Sequence, residues 1–150
     1  MITYLQAIKL LQRAKIEQER FPVLLERMTE EIEVQQHLSA VYGRERVTTN
    51  IGEYTCPAQK ALEYAEERRK QAAEDLQKSQ DIIVKAMHLL RVLPLHDAAR
   101  HTLDMHYISG WSFGKIAQLS RKSLSTVKRR HDSALQALKK AIHEKASESP

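Results

Sequence analysis

WSFGKIAQLSRKSLSTVKRRHDSALQAL, Trp111–Leu138, is the stretch that decides how this chain folds. It divides into a short segment of apolar period, a polar break and a longer segment loaded with basic residues. Gly110 supplies a break before it, and Ser112 is placed to cap the orphan N–H groups of a short helix. Phe113, Ile116, Ala117 and Leu119 give that helix an inward face. Ser120–Lys122 form the turn. It holds no glycine, so an ordinary αR/β turn is expected. Ser123 is the cap of the second helix. From there Val127, His131, Ala134, Leu135, Leu138 and Ile142 recur at helical spacing and predict one buried stripe.

The opposite face points to a partner. Ser125, Lys128, Arg129 and Asp132 lie away from the stripe, with Leu124 and Thr126 on its shoulders and Arg121 and Lys122 just before the helix. From Gly114 to Ala141 there are eight Lys or Arg against one acid, Asp132. A solvated basic face on a small bundle is the plain alternative. The turn spacing, the serine cap and the charge bias together favour a helix-turn-helix that enters a major groove. There Arg and Lys reach guanine edges or phosphates, and Ser and Thr take either. The candidate DNA-binding residues are Ser112, Arg121, Lys122, Ser123, Leu124, Ser125, Thr126, Lys128 and Arg129. Of these, Arg121, Lys122 and Lys128 are expected on phosphates, and Leu124, Ser125, Thr126 and Arg129 on base edges.

Two runs, LDMHYISGWSFGKIAQLS at Leu103–Ser120 and SLSTVKRRHDSALQAL at Ser123–Leu138, carry a family resemblance. This part resembles region 4 of sigma-70-type factors and the related LuxR-like helix-turn-helix regulators. It keeps that pattern at Tyr107, Gly110, Ser112, Ile116, Ala117, Val127, Ala134, Leu135 and Leu138. It departs at Lys115, where the family usually has Glu, and at Leu124 and Ser125, where sigma factors often carry charged base readers. The whole chain is similar in arrangement to small phage and prophage regulators of the ArpU and RinA type, which join a long helical half to a sigma region 4-like end. The resemblance implies a late-gene activator that acts with host RNA polymerase in the bacterial cytoplasm.

Upstream, two long heptad-like patterns predict an all-α device that carries the module. Tyr4, Ala7, Leu11, Ala14, Gln18, Phe21, Leu25, Met28, Ile32, Gln35, Ser39 and Tyr42 alternate steps of three and four. Pro22 removes an internal hydrogen bond, so a kink or short break is expected near Arg20–Phe21, or a second helix starting at Pro22. Gly43–Cys56 loses the period and reads as a connecting loop, with Arg44 and Arg46 solvated. Pro57 opens the next helix, whose seam is Ala58, Leu62, Ala65, Arg69, Ala72, Leu76, Ser79, Ile83, Ala86, Leu90 and Leu93. Nearly equal lengths favour an antiparallel hairpin. Its thin core, with Ile8, Leu24, Val34 and Ile82 left over, predicts packing on the C-terminal module or on a second copy in a homodimer. Pro94 ends that helix. Leu95–Ile108 then forms the first helix of the module, with Ala99, Leu103 and Tyr107 inward and Trp111 at the edge of a three-helix core. The expected division is 1–93 hairpin, 94–142 DNA-binding module and 143–150 flexible tail.

Composition narrows the function classes. The chain is 42% hydrophobic and 29% charged, which suits a helical domain rather than a disordered one. Its apolar runs are too short to span a membrane, and the amino end shows no signal peptide. One cysteine, Cys56, excludes an internal disulfide. The formal charge of +5 equals that of residues 95–150 alone, with ten basic and five acidic side chains. A phosphate-bearing partner, double-stranded DNA, is the simplest reading. His96, His101 and His106 stand five apart and turn about 140° per step around a helix, so no metal site is expected with them or His88. His101 or His106 is read instead as a contact for phosphate or polymerase. Glu30, Glu31, Glu66 and Glu67 read as solvated faces, and neither catalytic residues nor a cofactor are expected. Two rivals stand beside the regulator: a DNA-packaging recognition subunit of the small terminase kind, and a polymerase-binding adaptor that leaves DNA alone.

Overall fold

The computed structural model describes residues 2–42 and 57–148. The expected loop at Gly43–Cys56, with Arg44, Arg46 and the lone cysteine, lies outside the described residues. Among the described residues the structure is all-helical: α1 (Tyr4–Tyr42), α2 (Pro57–Val92), α3 (Asp97–Leu103) passing into a π-helical turn (Asp104–Ile108), α4 (Phe113–Ser120) and α5 (Leu124–Glu148). The long helices α1 and α2 pack against each other as a hairpin.

Two compact units are present. The first joins residues 1–20 to 79–150, and the second is 21–78. The division therefore does not fall near Pro94. Within the first unit one core takes Leu11 and Ala14 from α1, Ala86 and Leu90 from α2, Leu103 from α3 and Leu138 from α5. A separate three-helix core was expected. Instead Ile116, Ala117 and Val127 make a small satellite cluster beside that shared core. The physical reason is size. About 50 residues bury too little surface to stand alone easily, and α3 is too short to offer a full face. Arg100 fastens the joint: its guanidinium donates to the carbonyls of Leu90, Leu93 and Leu95 at 3.1, 3.4 and 3.1 Å. These carbonyls belong to a helix end and the loop after it, and otherwise need water.

The α2 seam is as read: Ala65, Ala72, Ser79, Ala86, Leu90 and Leu93 are buried and the other members half-buried. The α1 seam needs a correction. After Ala14 the buried line steps three residues to Glu17, not four to Gln18, and continues through buried Leu24 and Glu31, with Phe21, Met28, Gln35 and Leu38 half-buried beside them. Leu24 is 7% exposed and Leu25 47%. Ser39 is exposed and leaves the seam with it, and Ile32 stays half-buried. The step of three keeps Pro22 on the exposed side, and α1 runs through it unbroken, so the expected break is absent. In the second unit Glu31 is not a solvated carboxylate. It is buried and meets Arg68 at 2.9 Å, while Arg27 meets Asp75 at 3.0 Å. In the first, Ser79 donates to the Glu17 carbonyl. At the other end, α5 does not fray at His143. It continues to Glu148, supported by a Lys140–Glu144 pair at 3.7 Å and a half-buried Ala146.

Candidate nucleic-acid interface

The module is set by two helix ends that use left-handed residues. Gly110 has φ 71°, and the following Trp111 N–H reaches back to the Met105 carbonyl at 3.1 Å. A Cβ at Gly110 would stand 3.2 Å from Gln18 Cγ, so the site wants glycine for conformation and for space. The second end corrects the sequence reading of the turn. Arg121 has φ 54°, ψ 40°, the left-handed region, and the Lys122 N–H closes a bond of 3.1 Å to Ala117. No glycine was needed because arginine itself takes the strained position, at a cost of about 1–2 kcal/mol. Arg121→Gly is therefore expected to raise unfolding free energy by about 0.5–1 kcal/mol, read by urea denaturation.

Both predicted caps are present. Ser112 Oγ accepts from the Lys115 N–H at 3.2 Å, and Ser123 Oγ accepts from the Thr126 N–H at 3.2 Å. Ser123 also shares hydroxyl contacts with Thr126 at 2.7 Å and Ser125 at 3.2 Å, which ties the first turn of α5 into one polar patch. Behind it Val127, His131, Ala134, Leu138, Ala141 and Ile142 are buried, with Leu135 half-buried. Leu119 is a correction: it is 59% exposed and does not belong to the inner face of α4.

Nearly all candidate residues lie on the surface. Ser112, Arg121, Lys122, Ser123, Leu124, Ser125, Lys128 and Arg129 are exposed, and Thr126 is half-buried by its bond to Ser123. Arg121–Thr126 gather at the turn and the first turn of α5, and Lys128 and Arg129 follow one turn on. Ser112 stands apart, at the far end of α4, about 12 Å along an eight-residue helix. Arg130, exposed and beside Arg129, was not among the sequence candidates. Arg129 and Arg130 line a groove of about 450 Å³, together with Met105 and Ile116. The signal in the sequence was the pair Arg129–Arg130 itself. Placement across a groove needed the packing of α3 on α5.

The histidines sort by burial. His96 caps α3 through Nδ1, which accepts from the Ala99 N–H, and His88 and His101 are exposed. His106 turns inward, stacked on Phe113 at 4.2 Å between centroids and bonded through Nδ1 to the Trp111 carbonyl. It is not a surface contact for phosphate. Buried His131 meets the Tyr107 hydroxyl at 2.9 Å, and its ring lies 5.1 Å from that of His106. Trp111 is half-buried against the satellite cluster, with the Lys115 ammonium over its ring at 4.9 Å. Among the described residues no group of three or more His, Cys, Asp or Glu could hold a metal ion.

Burial lowers the affinity of His106 and His131 for a proton below the ordinary histidine value of 6.5; for His131 the nearby Asp132 opposes this in part. The unfolded chain then binds more protons than the fold at mildly acid pH. Stability is expected to be complete above the unfolded value and to fall as pH drops below it toward the folded values. Urea unfolding at about pH 7.5 and about pH 5.5 reads this, and a His131→Gln chain should lose part of the difference.

No protein-family model, curated protein or solved structure matches the chain. Among the described residues no helix is long and apolar enough to cross a membrane.

Proposed function

We propose that this chain is a sequence-specific double-stranded DNA-binding regulator of transcription, a binding protein rather than an enzyme. The observation that carries it is the tip of α5. A serine-capped helix start exposes Ser125, Lys128 and Arg129, with Arg121 and Lys122 at its entry, opposite the apolar stripe. Such a tip offers hydroxyl and guanidinium donors to base edges and cations to phosphates. The left-handed Arg121 adds support. A strained cation where glycine would fold better is an expected trade at a binding site. The resemblance to sigma region 4 and to ArpU and RinA-type regulators favours phage late-gene activation with host RNA polymerase in the bacterial cytoplasm. A true sigma factor also needs a module that melts the promoter and stacks bases on aromatics, and only 5% of this chain is aromatic. Recruitment of, or competition with, a polymerase that already holds a sigma factor fits better.

One observation favours a second reading, the polymerase-binding adaptor. Leu119 and Leu124, on either side of the turn, are 59% and 47% exposed. Apolar side chains there suit a protein contact as well as thymine methyl groups. Selection of bound fragments from the source genome, at two salt concentrations and beside a Lys128→Ala/Arg129→Ala chain, separates the readings. Recovery of one discrete region, lost in the variant, is the expected result; a promoter or a packaging locus would tell regulator from terminase-like subunit. Recovery of nothing above background by the folded protein overturns DNA reading in favour of the adaptor.

A further inference from the structure

The groove of about 450 Å³ opens where α3, α4 and α5 meet, wholly within the first unit. Its size falls in the range of about 300–1,000 Å³ usual for small-molecule sites. Buried Ala99, Ile116, Val127 and Ala134, with half-buried Met105, give it an apolar lining. Such a surface gains free energy when an apolar body displaces its water.

The charge of the groove has one sign. Arg129 and Arg130 line it, and among the described residues no Asp or Glu does. Arg130 lies three residues after Val127 and four before Ala134, so these three stand on one side of α5. Ser125 and Lys128, read above as DNA contacts, are turned about 140° and about 160° away from it. Arg130 therefore belongs to the groove and not to the base-reading face. Among the described residues neither guanidinium has an ion pair or a hydrogen bond. The acids nearest in sequence are engaged elsewhere. Asp97 meets Arg100 at 3.6 Å, Asp132 meets His131 at 3.7 Å, and the leading charged neighbour of Asp104 is Arg100.

We infer that this groove binds a small amphipathic anion, an apolar body carrying one carboxylate, sulfonate or phosphate head. The body covers Ala99, Met105, Ile116, Val127 and Ala134, and the head pairs with Arg130 and Arg129. Charge complementarity selects the head: a guanidinium grips such a group through two parallel N–H bonds, and apolar surroundings strengthen them. Volume and lining select the body. A DNA backbone brings phosphates but nothing apolar to fill the space. The inference does not rest on the DNA reading.

The test titrates the full chain with 1-anilinonaphthalene-8-sulfonate, an anionic head on an aromatic body, beside the neutral N-phenyl-1-naphthylamine. One saturable site with a dissociation constant below about 100 µM is expected for the anion. Its binding should shift the amide resonances of Ala98, Thr102 and Ser133, which line the groove. Arg130→Gln should weaken the anion about tenfold and leave the neutral compound within about twofold. Lys128→Gln, the same charge removed from another side of α5, should change neither. Ala98→Phe, at an exposed lining position, should block both compounds. Equal loss of both compounds in Arg130→Gln, or amide shifts confined to other residues, would overturn the inference. So would no saturable binding by a folded chain at about 1 mM probe, which would leave the groove to a protein partner. Concentration-dependent shifts of the Ala98 and Ser133 amides without probe would overturn it in favour of a second copy. Binding that meets the expectations in a chain that selects no DNA supports the groove and overturns the DNA reading alone.

Discussion

Leu103→Ala is expected to lower unfolding free energy by about 2–5 kcal/mol, among the largest effects of any single substitution in this chain. Leu103 is 0% exposed and sits in the core that joins α3 and α5 to the adjoining stretches of α1 and α2. Truncation leaves a cavity that four helices line, and each is held by the others, so none can close on it cheaply. Thermal unfolding followed by helix signal and by Trp111 fluorescence should shift downward together by many degrees. A drop confined to the fluorescence signal would show that the helix-turn-helix has a core of its own, contrary to the shared core described above.

Arg129→Ala is expected to cost about 1–3 kcal/mol of DNA binding, an affinity loss of about 5- to 150-fold, and to relax specificity at one base position. The side chain is exposed one turn into α5, beyond the hydroxyl patch of Ser123, Ser125 and Thr126, where a long fork can reach a base edge. Lys122→Ala, at the turn, should weaken all sequences alike and reduce the slope of log affinity against log salt by about one. Titrations of a selected site and a scrambled site at several salt concentrations compare the two variants. Equal loss from Arg129→Ala on both sites would move Arg129 to the phosphates and leave base reading to its neighbours.

Much of the fold is local in origin. Helix periods, the serines that cap α4 and α5, and the glycine before Trp111 depend on neighbours a few residues away, and each is where the sequence places it. The buried stripe of α5 likewise follows from spacing. In the misreadings, packing or a nearby backbone bond chose among options that spacing alone leaves equal. Leu25 and Leu24 are equally good seam residues on α1 alone; the packing against α2 takes Leu24 and carries a buried Glu31 with it, because Arg68 answers its charge. Leu119 keeps the spacing of an inner residue but finds no helix opposite. Arg121 takes a left-handed turn because Ala117 and Lys122 close a bond around it. His106 is polar enough for the surface and is drawn inward by Phe113 and the Trp111 carbonyl.

The candidate interface divides in the same way. That α5 presents a basic, hydroxyl-rich tip was determined by the sequence, since a 3.6-residue period with one apolar stripe leaves only one place for Lys128 and Arg129. Tertiary structure alone decided that the module shares its core with the long helices, that Arg100 bonds the carbonyls at the end of α2, and that Arg130 faces a groove beside Arg129. Periodicity reports which side of a helix avoids water. It carries no information on which other helix supplies the cover, because burial free energy is nearly indifferent to the identity of the apolar surface that excludes the water.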